Sequence, residues 1–389
     1  MRFLLLGNGK TIKSIKKYIK HKKDSYIQAV NKNELTNKRI LLDDKLLQLN
    51  DIDYAIKSPG IKETDKLYLK LANKFTFVSE LDLLKIYKEN IKTIVITGSN
   101  GKTTFVSMLT FILNKANKKV ISCGNSFKPI THYYKLFDKL DYLIIEQSSF
   151  QLHDLKFYNP YISIILNIQE NHLDDSYSFN SYKENKLNLL KYQNKNNYYI
   201  YDDIKPINSN VNVVDLLKYE ECNIKSIYKK NIDYIYTIFK FLNIDIKYIK
   251  YIKDFKYLKY RFEKITKNGV IYINDSKSTS VDATLFAIDN LNKQNKILII
   301  GGKDKNLSLS RLQNKADFII CYGQLLDKAM KNINNVIPTK TLKEAFLIAK
   351  NIDLSDKIIL FSPAASSFDQ FKSFEDRGKY FNYLIKKYG

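Results

Sequence analysis

The sequence predicts an α/β protein built on parallel sheets. Three observations carry that prediction: the length, a recurring run of apolar residues, and a glycine-rich loop behind one of those runs. At about 150 residues per domain, the 389 residues make two or three domains. Short apolar runs are followed at once by small or polar residues, then by longer lysine-rich stretches of helical period. Such runs alternating with helices read as strands buried on both faces. Ligands in such sheets bind beyond the carboxyl ends of the strands.

The runs come in this order. "RFLLL" (2–6) leads to Gly7, Asn8 and Gly9. "TIVIT" (93–97) leads to Gly98, and "DYLII" (141–145) to Glu146, Gln147, Ser148 and Ser149. "YISIILN" (161–167) leads to Glu170, Asn171 and His172. "VIYI" (270–273) leads to Asn274, Asp275, Ser276 and Lys277. "KILII" (296–300) leads to Gly301 and Gly302, and "KIILF" (357–361) to Ser362 and Pro363. A first unit runs to about Tyr87, where "YKENIK" links onward. "YQNKNNYY" (192–199) reads as a loop, and 246–265, alternating lysine with apolar residues, as a solvated helix leading to a third unit near Tyr260.

The formal charge is +24, with 44% hydrophobic residues. A basic surface attracts polyanions, but these lysines are scattered over the whole chain and gather in no arm or tail. The bland reading, biased composition, is therefore preferred to nucleic-acid binding; either way the field favours anionic substrates. Cys123, Cys222 and Cys321 have no short spacing, which argues against a disulfide framework or zinc site and suits a reducing cytoplasm. The apolar start is too short for a signal peptide, and no run approaches a membrane span.

"TGSNGKTT" (97–104) fits G-x-x-G-K-[ST], with Ile96 where the full Walker pattern has its first glycine. Gly98 and Gly101 let backbone N–H groups approach phosphate oxygens, helped by the N-terminal end of the next helix. Ser99, Asn100 and Thr104 share that loop; Lys102 reaches β/γ-phosphates and the Thr103 hydroxyl suits Mg²⁺. Glu146, ending a strand, is either a Mg²⁺ ligand or a charge at a helix start. His172 is a metal ligand or a surface histidine. Lys186, four residues after Tyr182 on one helix face, taken alone reads as a solvated charge. Asp275 and Lys277 suit a nucleotide or a carboxylate. Ser366 and Ser367 sit before a helix containing Phe371 and Phe374, and either bind a carboxylate or cap that helix. "GNGKTI" keeps two glycines of a dinucleotide fingerprint and fits a plain tight turn equally well. A serine hydrolase is disfavoured: there is no G-x-S-x-G, and no histidine in the last third.

In this order the motifs resemble the Mur ligase family, and within it the members that add D-glutamate. The resemblance rests on "SPGI" (58–61), "TGSNGKTT" (97–104), "CGN" (123–125), "EQSSFQL" (146–152), "NIQENHLD" (167–174), "YKENK" (182–186), "YRFE" (260–263), "NDSKST" (274–279), "GGKDK" (301–305) and "SPAASSFDQFKSFEDRG" (362–378). It implies three domains: a UDP-binding Rossmann-like domain (1–87), a central P-loop ATPase domain (88–259) and a Rossmann-like amino-acid domain (260–389). It implies ATP, two Mg²⁺ ions and a carbamate on Lys186. The implied reaction joins D-glutamate to UDP-N-acetylmuramoyl-L-alanine through an acyl phosphate, for peptidoglycan. By position, Lys102 and Thr103 handle phosphates and one Mg²⁺ beside Glu146, and His172 holds the second with carbamylated Lys186. Asn125 and Ser148 touch the muramoyl substrate, and Arg261 and Asp275 touch ATP. Lys277, Thr279, Lys305, Ser367 and Phe374 place D-glutamate. The chain departs from the family at Asn171, Tyr260, Ser126 and Phe127, and near the adenine at Lys230, Asn231 and Tyr234. The expected protein is a cytoplasmic monomer with no nucleic-acid partner. Two other readings stand beside it: another ligase of the family, such as a folylpolyglutamate synthetase, and a nucleic-acid-binding P-loop ATPase.

Overall fold

The computed structural model describes residues 1–29, 43–169, 178–204, 210–220, 228–256, 258–291, 295–304 and 308–389. Three sheets organise them. The first holds β1 (Arg2–Leu6), β2 (Ser25–Ala29) and β3 (Tyr54–Lys57), all parallel, in the order β2-β1-β3. The second holds β4 (Thr93–Thr97), β5 (Val120–Gly124), β6 (Tyr142–Glu146), β7 (Ile162–Ile165), β8 (Tyr198–Tyr201) and β9 (Asn212–Asp215), parallel in the order β5-β6-β4-β7-β8-β9. The third holds β10 (Glu263–Lys267), β11 (Val270–Asn274), β12 (Lys296–Gly301), β13 (Phe318–Tyr322), β14 (Val336–Thr339) and β15 (Ile358–Phe361), ordered β10-β11-β15-β12-β13-β14. Only β10 among these runs antiparallel, through a two-residue turn at Asn268 and Gly269, both at positive φ. Asn-Gly suits that turn because both central residues need left-handed backbone. The first two sheets share one compact unit, Met1–Ile168 with Ser178–Phe255; the third sheet belongs to another, mainly Lys256–Gly389.

The seven apolar runs are β1, β4, β6, β7, β11, β12 and β15. Their residues alternate between two cores, as a period of two requires. Ile94 and Ile96 face the helix Lys102–Lys115 and the helix Lys229–Phe241, whereas Val95 faces Leu84, Leu152 and Leu189 on the other side. In the second unit Leu298 and Ile300 face Leu285 and Ile288, whereas Ile297 and Ile299 face Phe346 and Phe381. Each such side chain stabilises the fold by about 1.5–3 kcal/mol through burial.

Three expectations change. The 246–265 stretch is not one solvated helix: Ile246–Asp254 is a 3-10 segment with Ile249 and Ile252 buried in the core beside the helix Lys102–Lys115. Apolar residues at a spacing of three lie on one face of a 3-10 turn, so the lysines stay outside. The loop expected over 192–199 gives way to β8 at Tyr198. Ser366 and Ser367 do not precede the last helix directly. It runs Phe374–Tyr388, and Ser373 caps it by accepting from the Asp376 N–H.

Candidate functional site

The central strand order places β4 between β6 and β7, while the chain leaves β4 for β5 and returns through β6. This is a topological switch point, where a crevice opens beyond the strand ends. The loop 98–101 fills that position. Gly98 and Gly101 both have positive φ, and Gly101 is the left-handed N-cap of the helix Lys102–Lys115. A side chain there would strain the turn that aims the loop amides. Asn167, two residues past β7, was not among the expected site residues. Its Oδ1 accepts from the Ser99 and Asn100 N–H groups at 3.0 and 2.9 Å, and its Nδ2 donates to the Asn100 carbonyl at 3.2 Å. The one sequence signal for it is a polar residue ending an apolar run beside the loop.

Lys102 Nζ donates to the Gly98 and Ser99 carbonyls at 2.6 and 2.9 Å. Lys186 Nζ donates to the same Gly98 carbonyl at 2.8 Å. Lys186 is therefore no solvated charge; it is 1% exposed and stands over the Tyr182 ring. The Tyr182 hydroxyl donates to Ser99 Oγ at 2.9 Å, tying the same helix to the loop. Burial pushes the Lys186 amine well below the ordinary lysine value; the Lys102 charge pushes the same way and Glu146 opposes it.

Glu146 ends β6 and is 1% exposed. Its Oε1 accepts from Asn125 Nδ2 at 2.9 Å and from Ser126 Oγ at 2.8 Å, and Thr103 Oγ1 donates to Ser126 Oγ at 3.0 Å. Ser126, a family departure, thus joins the two expected metal residues. Gly124 makes this possible: a Cβ there would lie 2.1 Å from the Glu146 carbonyl oxygen. Glu146 Oε2 is buried with no partner. An orphan carboxylate oxygen beside a threonine hydroxyl fits a hard divalent cation. Among the described residues, no three His, Cys, Asp or Glu side chains gather as a metal cage. His172 and Asn171 lie outside the described residues.

Asn125 thus holds Glu146, and Ser148 N-caps the helix Ser149–Leu152 in a capping box with Gln151. A small cleft in the same unit is lined by Thr11, Lys57, Ser79, Glu80, Gln147 and Gln151, among others. Burial raises the Glu80 pKa, against two hydrogen bonds from Thr131 to its Oε1; its Oε2 has no partner. Gly7 and Gly9 lie against Ser58, where added Cβ atoms would come within 2.9 and 2.8 Å of the serine. Tyr234 is buried on Phe105, and Lys230 pairs with Asp202.

In the second unit, Asp275 is buried and accepts from Ser278 Oγ, from Ser362 Oγ at 3.0 Å and from the Phe262 N–H at 3.0 Å. Burial pushes its carboxyl up to about 6, although those three donors pull it down. Lys277 Nζ stands 4.2 Å from the Phe374 ring centroid and the Arg261 guanidinium 5.9 Å from it. Three expected residues, two from loops and one from the start of the last helix, therefore meet. Ser367 is 2% exposed and its carbonyl accepts from the Phe371 N–H. Thr279 is half-buried, and Lys305 lies outside the described residues. The Lys303 N–H donates to the Ser366 carbonyl at 2.8 Å, joining the "GGKDK" and "SPAASS" loops. Cys123 and Cys321 are buried free thiols, and Cys222 lies outside the described residues. No helix among the described residues is long and apolar enough to cross a membrane.

Comparison with known proteins shows the family and the fold. Residues 96–250 match the family model of the Mur ligase middle domain. The UDP-N-acetylmuramoylalanine--D-glutamate ligase of Francisella tularensis subsp. mediasiatica is 32% identical, with 99% of this chain and 95% of that one aligned. The protein of that name from Pseudothermotoga lettingae is 32% identical over 86% of this chain and 84% of its own. The MurF ligase from Thermotoga maritima, solved with ADP, shares the fold at a TM-score of 0.61 and 18% identity, covering 89% and 92% of the chains. The folylpolyglutamate synthase of the same organism matches at 0.51 and 14%, over 79% and 92%. With such identity over nearly the full length of both chains, the protein belongs to the Mur ligase family of ATP-dependent, amide-forming ligases.

Proposed function

We propose that the chain joins D-glutamate to UDP-N-acetylmuramoyl-L-alanine at the expense of ATP, in peptidoglycan precursor synthesis. One observation carries the phosphate chemistry: Lys102 and Lys186 converge on the Gly98 carbonyl of the glycine loop, with the orphan oxygen of Glu146 buried nearby. The D-glutamate assignment rests on the names of the relatives and on the 362–378 motif.

The loop amides and Lys102 bind the β- and γ-phosphates. The alanyl carboxylate attacks the γ-phosphorus, the bond to the ADP oxygen breaks, and an acyl phosphate forms. The D-glutamate amine then attacks that carbonyl and phosphate leaves, with the amine proton passing to solvent or phosphate. Carboxylate oxygen is a poor leaving group and phosphate a good one, which is why a nucleotide is needed. Mg²⁺, when bound, neutralises phosphate charge; Thr103, Glu146, His172 and a carbamylated Lys186 would hold two ions. A lowered pKa makes the Lys186 nitrogen easier to deprotonate, and the lone pair of the uncharged amine can attack CO₂. Loss of one proton then gives a carbamate anion in place of a cation. Asn125 and Ser148 would meet the muramoyl substrate, and Arg261 and Asp275 the nucleotide. Lys277, Thr279, Lys305, Ser367 and Phe374 would hold the amino acid, with ammonium and hydroxyl groups facing its carboxylates. We keep a three-domain division, 1–87, 88–259 and 260–389, as part of this reading because each part carries its own sheet. We further place the protein in the cytoplasm, as a monomer.

The test is mass detection of the product from ATP, the UDP-linked muramoyl-alanine and D-glutamate. An adduct of that mass is expected. Turnover only with another acceptor or amino acid would overturn the assignment in favour of a folate-type or other ligase. ADP release driven by nucleic acid alone would overturn the reaction class.

A further inference from the structure

A polar chain inside the first compact unit reaches the residue next to Lys186. Asn185 is 6% exposed. Its Nδ2 donates to Glu63 Oε1 at 2.7 Å, and its Oδ1 lies 3.1 Å from His153 Nδ1. The same ring nitrogen is 3.2 Å from Glu63 Oε1, so a proton on Nδ1 is shared between two acceptors. His153 Nε2 lies 3.0 Å from the Tyr68 hydroxyl, which donates to Asp154 Oδ1 at 2.7 Å. Asp154 ends the chain on Lys57 at 3.3 Å, with side chains 8% and 3% exposed. Lys57, Glu63 and Tyr68 follow or end the first sheet; His153 and Asp154 follow a short helix of the second; Asn185 lies on the helix Phe179–Lys191.

Burying this many polar groups is costly unless each is paired. Apolar packing would press the helix against its neighbours equally well, but it would not fix rotation about the helix axis. Consecutive helical residues project about 100° apart, so holding Asn185 at two points fixes the direction in which Lys186 points. Tyr182 fixes the preceding turn through Ser99.

We propose that Asn185, clamped by Glu63 and His153, is a positioning residue that sets the Lys186 amine over the phosphate loop. The proposal rests on the reading of Lys186 as a residue of the ligase reaction. It ties the "SPGI" loop region of the first sheet to that amine.

The experiment compares the full-length wild type with Asn185→Ala, His153→Ala and His153→Asn, the last because an asparagine Nδ2 takes the place of a histidine Nδ1. Steady-state kinetics and hydrogen exchange of peptides covering 58–69 and 179–191 are both measured. Asn185→Ala should lower kcat about tenfold or more, since ångström misplacement of a reacting group costs up to about a hundredfold. KM for ATP and for D-glutamate should stay within about twofold. His153→Ala should lose kcat and His153→Asn should keep it. Exchange in 179–191 should accelerate in both alanine variants. His153→Ala, at a partly exposed site, reads the same clamp if Asn185→Ala does not fold. Wild-type kcat in the alanine variants overturns the proposal, and so does a loss in His153→Asn equal to that in His153→Ala. If the wild type makes no product from D-glutamate, the functional reading fails separately; unchanged exchange in both segments then overturns the clamp, and faster exchange supports it.

Discussion

The phosphate loop and the loop cluster of the second unit handle charge in opposite ways. Around Gly98 two lysine amines share one carbonyl, and burial together with the Lys102 charge disfavours the charged form of Lys186. Around Asp275 a single carboxyl is wrapped in hydroxyls and an amide, and burial leaves it protonated up to about pH 6. The first arrangement gathers nitrogen donors around the glycine loop and is completed by an anion. The second is largely saturated by its own neighbours, so that beside the contact proposed with the nucleotide it holds loops: it accepts from Phe262, which stands at positive φ, and ties Ser278 to Ser362. A charged group in a nucleotide site can therefore be there for the ligand or for the backbone, and its remaining bonding capacity separates the cases.

Substitutions test that contrast, beginning with the greatest loss. Lys102→Ala removes the ammonium held on the loop and should abolish turnover, by about a thousandfold or more, while the UDP-linked substrate still binds in equilibrium titration. Wild-type turnover would remove Lys102 from the phosphate site. Lys186→Ala should lose about a hundredfold or more and recover in part with formate or acetate, which can stand where a carbamate would. Full activity without rescue would exclude the carbamate.

Asp275→Asn reads the saturated side of the comparison. Its carboxyl has a folded pKa of about 6 against 3.8 unfolded. The folded state therefore binds the extra proton between those values, and stability falls as pH rises through that window. Above it the cost is about 3 kcal/mol. Denaturant midpoints should show wild type losing stability relative to Asp275→Asn between pH 4 and pH 7. Parallel curves would show that the carboxyl is not perturbed. Ser148→Ala removes a capping box and should cost about 1 kcal/mol. A rise in KM for the UDP-linked substrate would add a binding role to the capping role; an unchanged KM would leave the cap alone.

The strands read from the sequence are all interior strands, and the six sheet edges, β2, β3, β5, β9, β10 and β14, were all missed. Interior parallel strands are covered on both faces and must be apolar throughout, as in "TIVIT". An edge such as β9, "NVVD", alternates half-buried with exposed positions. The edge β14, "VIPT", even carries Pro338, which a central strand would exclude. Two interior strands, β8 and β13, end in tyrosine, and β8, "YYIY", is mostly that residue. In a chain with 29 tyrosines, that residue does not separate buried from exposed runs. The phosphate loop was legible because its glycines, lysine and threonine are contiguous. Lys186 was legible only through the family resemblance, since an isolated lysine in this chain carries no signal. The contacts of Asn167, of Ser126 and of the Asn185 clamp were invisible, because each acts through partners twenty or more residues away that only the folded sheet brings near.

Gly124 closes the matter of how much freedom the Glu146 side of the site has. Its φ is +103°, and any added carbon would collide with the backbone of the strand that carries Glu146. In a saturation library, position 124 should yield active clones with glycine alone. Position 126, a hydroxyl on the same carboxylate, should admit threonine. A directed-evolution effort aimed at new amino acids would then find its variation in the second unit, and should leave this corner of the central sheet untouched.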